Sequence, residues 1–186
     1  MADLDFSRIV SLACHDLRTP LATVNGFAKT LVRSGELDER DARFIGMIGE
    51  AADQLADLLD LLGLAARIAG DRYEPVLSDA DTLELASSAD ERIAVEGFGE
   101  PIETDADAMR GSLEGLAIAA ARHGGVPAVT WTVAGRELTL APVTEEAAPV
   151  VAGESPRDLG ALVAKMVIER LGGSLAVEGE MLHVRL

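Results

Sequence analysis

The chain has 186 residues, a formal net charge of −16, 48% apolar residues and one cysteine. That length and apolar content suit one domain or two small ones with a real core, and the acidic balance argues against holding nucleic acid or an anionic membrane through bulk electrostatics. Cys14 alone allows neither an intrachain disulfide nor a cysteine metal cluster, and the three histidines stand too far apart for a metal-ligand spacing.

The first helical pattern covers residues 3–33, with Asp3 or Asp5 near its start, where an acid complements the helix dipole. Phe6, Val10, Ala13, Leu17, Val24, Phe27 and Leu31 recur at steps of three and four, interrupted only around Pro20 and Leu21. They read as the seam of a helix packed in a bundle or coiled coil. At about 100° per residue, His15 falls on the opposite face, among Arg8, Ser11, Thr19, Ala22 and Gly26, all polar or small. Pro20 has no N–H for the Asp16 carbonyl, so a bend is expected just past His15. An exposed imidazole beside a carboxylate is a competent nucleophile near neutral pH. Taken alone, it is equally a solvated histidine on an ordinary bundle helix.

Ser34-Gly35 marks a turn, and a second helix is expected over 38–69. Its stripe is Phe44, Ile48, Ala51, Leu55, Leu58, Leu62 and Ala65. Two long helices on a short loop make an antiparallel hairpin with too much apolar surface for one copy, so a homodimer closing a four-helix bundle is expected. Gly70-Asp71 sets the expected boundary between domains 1–70 and 71–186. Beyond it the pattern predicts helices at 82–89, 105–122 and 156–171, the last ended by Gly172-Gly173, and strands at 92–96, 126–133, 137–141, 174–177 and 181–185. Gly135-Arg136 is a plausible tight turn. The order implies an α+β chain whose second half is a sandwich of one helical layer on a largely antiparallel sheet. Residues 143–155 read as its loosest part.

His15-Asp16-Leu17-Arg18-Thr19-Pro20-Leu21 resembles the H-box of two-component sensor histidine kinases. The resemblance implies that the histidine carries a phosphoryl group on the first helix of a dimeric hairpin. The second half is similar, in outline, to the ATP-binding domain of the same kinases. Residues 158–165 and 171–175 follow the family's last glycine box, helix and closing hairpin, and 113–124 stand where its asparagine box belongs. The departures matter. The two asparagines of that box, one of which holds magnesium, are replaced by Gly115 and Ala119. The aspartate and Gly-x-Gly turn after the strand 138–140 are replaced by Ala141-Pro142-Val143-Thr144-Glu145-Glu146, and only Gly160 remains of the later glycine box. The phosphate lid would have to fit into residues 148–155. Phosphoryl transfer from ATP needs a metal and donors to neutralise the γ-phosphate, and Glu114, Glu145 and Glu146 are the only candidate substitutes.

The resemblance therefore implies a histidine phosphotransferase built like a kinase, with no cofactor on this chain. His15 would take a phosphoryl group from the aspartate of a receiver domain, which brings its own Mg2+, and pass it to another. Asp16 would orient or deprotonate the imidazole, and Arg18 and Thr19 would help at the phosphoryl site. Ser11, Arg18, Ala22 and Gly26 would form the docking surface. With no signal peptide and no run of about 20 apolar residues, membrane insertion is not expected and a cytoplasmic location is. The alternatives are an ATP-dependent kinase with a divergent site, a phosphatase using Asp16 and Thr19, and a non-enzymatic adaptor.

Overall fold

The computed structural model describes residues 6–35 and 37–186; the expected helix start at Asp3 or Asp5 lies outside them. The chain divides after Tyr73 into two compact units.

In the first unit, α1 (Phe6–Ser34) runs without interruption through Pro20 and stops at Gly35, whose φ of 67° suits a residue with no Cβ. Helix α2 (Glu39–Ala69) starts where the Asp38 carboxylate accepts the Asp41 N–H at 2.8 Å, with Glu39 and Asp41 in the first turn favouring the dipole. It ends where the Gly70 N–H donates to the Ala66 carbonyl at 3.1 Å.

The two helices meet through small residues. Ser7, Cys14 and Ala28 of α1 and Gly49, Ala52, Gly63 and Ala66 of α2 are the buried positions. A Cβ added at Gly49 would lie 3.7 Å from the Ala28 Cβ, and one at Gly63 would lie 3.9 Å from the Cys14 Cβ. That close approach leaves no room between the helices for Leu or Phe. The expected seam is therefore not the contact between α1 and α2: Leu17, Val24, Phe27 and Leu31, with Phe44, Ile48, Leu55, Leu58 and Leu62, are all exposed on the single hairpin. Polar links at the rim join the helices as well. Asn25 donates to Asp53, and Lys29 pairs with Asp53 at 3.2 Å. Lys29 first, then Asn25, holds the Asp53 carboxyl below its ordinary range.

The second unit contains β1 (Leu77–Asp81), α3 (Thr82–Ala86), β2 (Ile93–Phe98), β3 (Pro101–Asp105), α4 (Ala106–Gly124), β4 (Val129–Ala134), β5 (Glu137–Ala141), α5 (Ala148–Val151), α6 (Leu159–Arg170), β6 (Ser174–Glu178) and β7 (Met181–Arg185). The main sheet has the order β2-β4-β5-β7-β6; only the β2–β4 pair is parallel. Trp131, Val133, Leu138, Leu140, Leu182 and Val184 are buried, in one core with Leu113, Leu116, Ala117, Ala120 and Ile168 of α4 and α6. This is the expected sandwich.

Several details differ from the expectation. The antiparallel pair β1–β3 was not foreseen, because Leu-Ser-Asp-Ala-Asp and Pro-Ile-Glu-Thr-Asp are short and largely polar. Helix α3 stops at Ala86, not residue 89. Helix α6 starts at Leu159, not residue 156, because Asp158 takes the cap position and accepts the Ala161 N–H at 3.1 Å. Strand β4 starts at Val129, since Gly125 ends α4 in the left-handed conformation and Pro127 has no N–H for a ladder. Residues 143–155 are not loose: Val143, Ala147, Val150 and Val151 are buried and carry α5 into the core.

The small-residue contact gives a graded test at Gly63. Gly63→Ala meets only ordinary contacts and is expected to stabilise the hairpin by about 0.5–1 kcal/mol through helix propensity. Gly63→Leu overfills the interface and is expected to cost about 1–3 kcal/mol. Urea unfolding followed by helical circular dichroism measures both; equal effects would contradict the close approach.

Candidate functional site

Burial of Cys14 against α2 fixes the rotation of α1, and the next residue consequently faces out. The His15 side chain is 77% exposed, and its Nδ1 lies 3.1 Å from Asp16 Oδ1. With Nδ1–H donating to the carboxylate, Nε2 presents its lone pair to solvent. The arrangement is a free nucleophilic nitrogen with an anion positioned to offset positive charge on the ring.

The other residues singled out on this helix differ in their engagement. Arg18 is ion-paired with Asp60 across the hairpin. Thr19 is exposed, and its carbonyl accepts the Thr23 hydroxyl at 3.1 Å. Ser11 is half-buried: its hydroxyl donates to the Ser7 carbonyl at 2.9 Å and accepts from Arg72 at 3.4 Å. Ala22 and Gly26 are exposed, and nothing lies within 4 Å of a Cβ built at Gly26. The structure thus joins His15 to Asp16 and directs Arg18 to α2. Asp60 and Arg72 were missed from sequence. Asp53, Asp57 and Asp60 recur at steps of four and three along one face of α2, which is the signal that pointed to Asp60; nothing comparable marks Arg72.

In the second unit, the positions aligned with the family's asparagine box are spent on packing. A Cβ at Gly115 would lie 3.7 Å from the Gly160 backbone, and Ala119 is fully buried. The junction of the two helices is tied further by Asp158, which caps α6 and is held by Arg122 at 3.3 Å and His123 at 3.1 Å. The segment around 148–155, into which a phosphate lid would have to fit, begins with α5, whose Val150 and Val151 are buried in the core. Of the substitute carboxylates, Glu114 accepts the Ser88 hydroxyl. Among the described residues, no group of three His, Cys, Asp or Glu is gathered to hold a metal.

Residues 6–70 match the model of the His Kinase A (phospho-acceptor) domain. The whole chain has the fold of full-length ShkA, a structure solved in complex with AMPPNP, at 19% identity and a TM-score of 0.67 over 94% of this chain and 44% of that one. Residues 6–70 thus form a phospho-acceptor domain of the His Kinase A type, and the chain as a whole has a histidine kinase fold, with an ATPase-like second unit. The histidine kinase AdeS of Acinetobacter baumannii shares the fold at 16% identity and a TM-score of 0.57, over 92% of this chain and 96% of that one. The chain spans less than half the length of the ShkA chain. No curated protein matches its sequence. Among the described residues, no helix is long and apolar enough to cross a membrane.

Asp158 separates capping from charge pairing. Asp158→Asn keeps the cap, whereas Asp158→Ala removes cap and partners together and is expected to lower stability by about 1–3 kcal/mol. Guanidinium unfolding of the full chain, read at Trp131, measures the difference. Identical losses in both variants would show that the charge pairing dominates.

Proposed function

We propose that this chain is a histidine phosphotransferase that works without ATP. The observation that carries the reading is the pairing of a solvent-facing His15–Asp16 couple with an ATPase-like domain whose helices close on the nucleotide region. His15 Nε2 attacks the phosphorus of an aspartyl-phosphate on a receiver domain; the new N–P bond forms as the acyl P–O bond breaks, and the receiver carboxylate leaves. The imidazole keeps its Nδ1 proton, and Asp16 offsets the positive charge that develops on the ring. Reversal delivers the phosphoryl group to a second receiver. The receiver's own Mg2+ neutralises the equatorial oxygens, so this chain needs no metal. Thr19, exposed one turn along, is placed to meet the phosphoryl oxygens, and Ser11, Arg18, Ala22 and Gly26 border the docking surface. The site would operate in the cytoplasm, where receivers reside.

The same reading includes a homodimer. Leu17, Pro20, Leu21, Val24, Leu55 and Leu59 line an apolar groove on the hairpin, continuous with the exposed stripe. A second copy is the occupant whose own stripe matches it, and the two hairpins close a four-helix bundle. Val24→Glu with Leu55→Glu is expected to convert the dimer to a monomer in light scattering coupled to gel filtration. A monomeric parent chain would remove this part of the reading.

The chemistry is tested by labelling. Incubated with a receiver already phosphorylated on aspartate, the protein is expected to acquire acid-labile, base-stable label, lost entirely in His15→Ala. Radiolabelled ATP with magnesium is expected to give none. Label from ATP would restore the autokinase. Receiver dephosphorylation that survives His15→Ala but not Thr19→Ala would make the chain a phosphatase, and undisturbed receiver binding without chemistry would make it an adaptor.

A further inference from the structure

The Arg18–Asp60 pair shows which flanks of α1 and α2 adjoin. At about 100° per residue, Ser11 and His15 share a flank of α1 with Arg18, and Arg67 returns to the Asp60 flank of α2 two turns on. Arg67 is exposed, and its side chain runs back along the helix toward residue 63. A Cβ added at Gly63 would lie 3.7 Å from Arg67 Nη1 and 3.9 Å from the Cβ of Cys14, the neighbour of His15. Among the described residues, no acceptor takes the side-chain donors of Arg67. A second guanidinium stands one turn lower. Arg72 is half-buried and donates from Nη2 to Ser7 Oγ at 3.0 Å and to Ser11 Oγ at 3.4 Å. Ser11 precedes His15 by four residues, and helical side chains lean over the turn N-terminal to them, so the imidazole leans toward Ser11. The carboxylates on this flank are already spent, Asp16 on His15 and Asp60 on Arg18. Arg72 has a structural task, tying the turn after α2 to α1. Arg67 has none among the described residues. In a chain of net charge −16, guanidinium groups left without a carboxylate beside one histidine mark a place for an anion.

We infer that Arg67 binds the phosphoryl group carried by His15, with Arg72 adding positive charge from the turn behind Ser11. The inference rests on the phosphotransfer reading of His15 and supplies this chain's own share of the phosphoryl site. A planar guanidinium can donate two parallel hydrogen bonds to phosphoryl oxygens, and its charge favours the dianion over the monoanion. Arg67 exchanges no proton in the transfer; it holds the group and offsets its charge.

Phosphoramidate tests this with neither receiver nor ATP: an imidazole nitrogen attacks its phosphorus, the P–N bond of the reagent breaks and ammonia leaves. The phosphorylated full-length chain is titrated by 31P NMR, with His15→Ala identifying the His15 resonance. The second ionisation of the phosphoryl group is expected about one pH unit lower in the parent than in Arg67→Gln. Arg67→Lys keeps the charge and is expected to recover most of that shift. Arg40→Gln, at the far end of α2, is expected to match the parent, and adding Arg72→Gln to Arg67→Gln to raise the ionisation further. A merely structural arginine would leave the titration unmoved. Equal titration of the parent and Arg67→Gln, an equal change in Arg40→Gln, or no phosphorylation of His15 by phosphoramidate would each overturn the assignment. Failure of receiver labelling with the 31P shift intact would remove the relay and still support the phosphoryl site.

Discussion

Close contact between α1 and α2 through small side chains is the constraint on which the phospho-acceptor unit depends. Cys14 faces Gly63 and Ala28 faces Gly49, so near that a Cβ added to either glycine would already stand at van der Waals distance, which fixes both the spacing of the helices and their rotation. One consequence is chemical: with Cys14 turned inward, His15 and Asp16 face water. The other is associative. Large apolar side chains that cannot enter so narrow an interface collect on another face, where they need a further apolar surface. The nucleophile and the exposed stripe are two results of one packing choice.

The same device recurs in the second unit with a different effect. Alanine-rich α4 packs on α6 with Gly115 facing the Gly160 backbone, where a Cβ would meet ordinary contact at 3.7 Å. A family member that holds a nucleotide between these helices must keep polar side chains and open space there. Here Ala119 is buried in hydrocarbon, Asp158 spends its oxygens on a cap, Arg122 and His123, and α5 adds buried valines. Burial of Val150 and Val151 opposes reopening, because lifting α5 would return their apolar surface to water.

The two units therefore divide the chemistry unevenly. The hairpin presents a solvent-facing imidazole beside a carboxylate. Accepting a phosphoryl group already activated as an acyl phosphate asks little more of a protein than exposure, orientation and a compensating charge. Taking one from ATP asks for a metal and a preorganised set of donors, and α4 and α6 have none at the corresponding positions.

How much of this was legible in the sequence follows from the range of each interaction. The H-box, the two long amphipathic helices and most strands of the sandwich depend on local spacing, and the histidine kinase fold could be read from them. The replacement of two asparagines by Gly115 and Ala119 was equally plain, because an absent side-chain oxygen needs no geometry to be noticed. What lay beyond the sequence involves residues distant along the chain. The stripe ending in Leu31 and the one ending in Leu62 are periodic whichever neighbour covers them, so periodicity alone did not distinguish the α1–α2 contact from an outer face. The Arg18–Asp60 pair, the union of Asp158 with Arg122 and His123, and the strand pairing of two polar segments at 77–81 and 101–105 all join positions from about twenty to over forty residues apart. Residues 143–155 looked loose because Pro, Ala, Glu and Gly leave their apolar positions with little periodicity. Only the tertiary structure, by offering a gap beside α4 that four of those side chains fill, decided that they form a plug and not a lid.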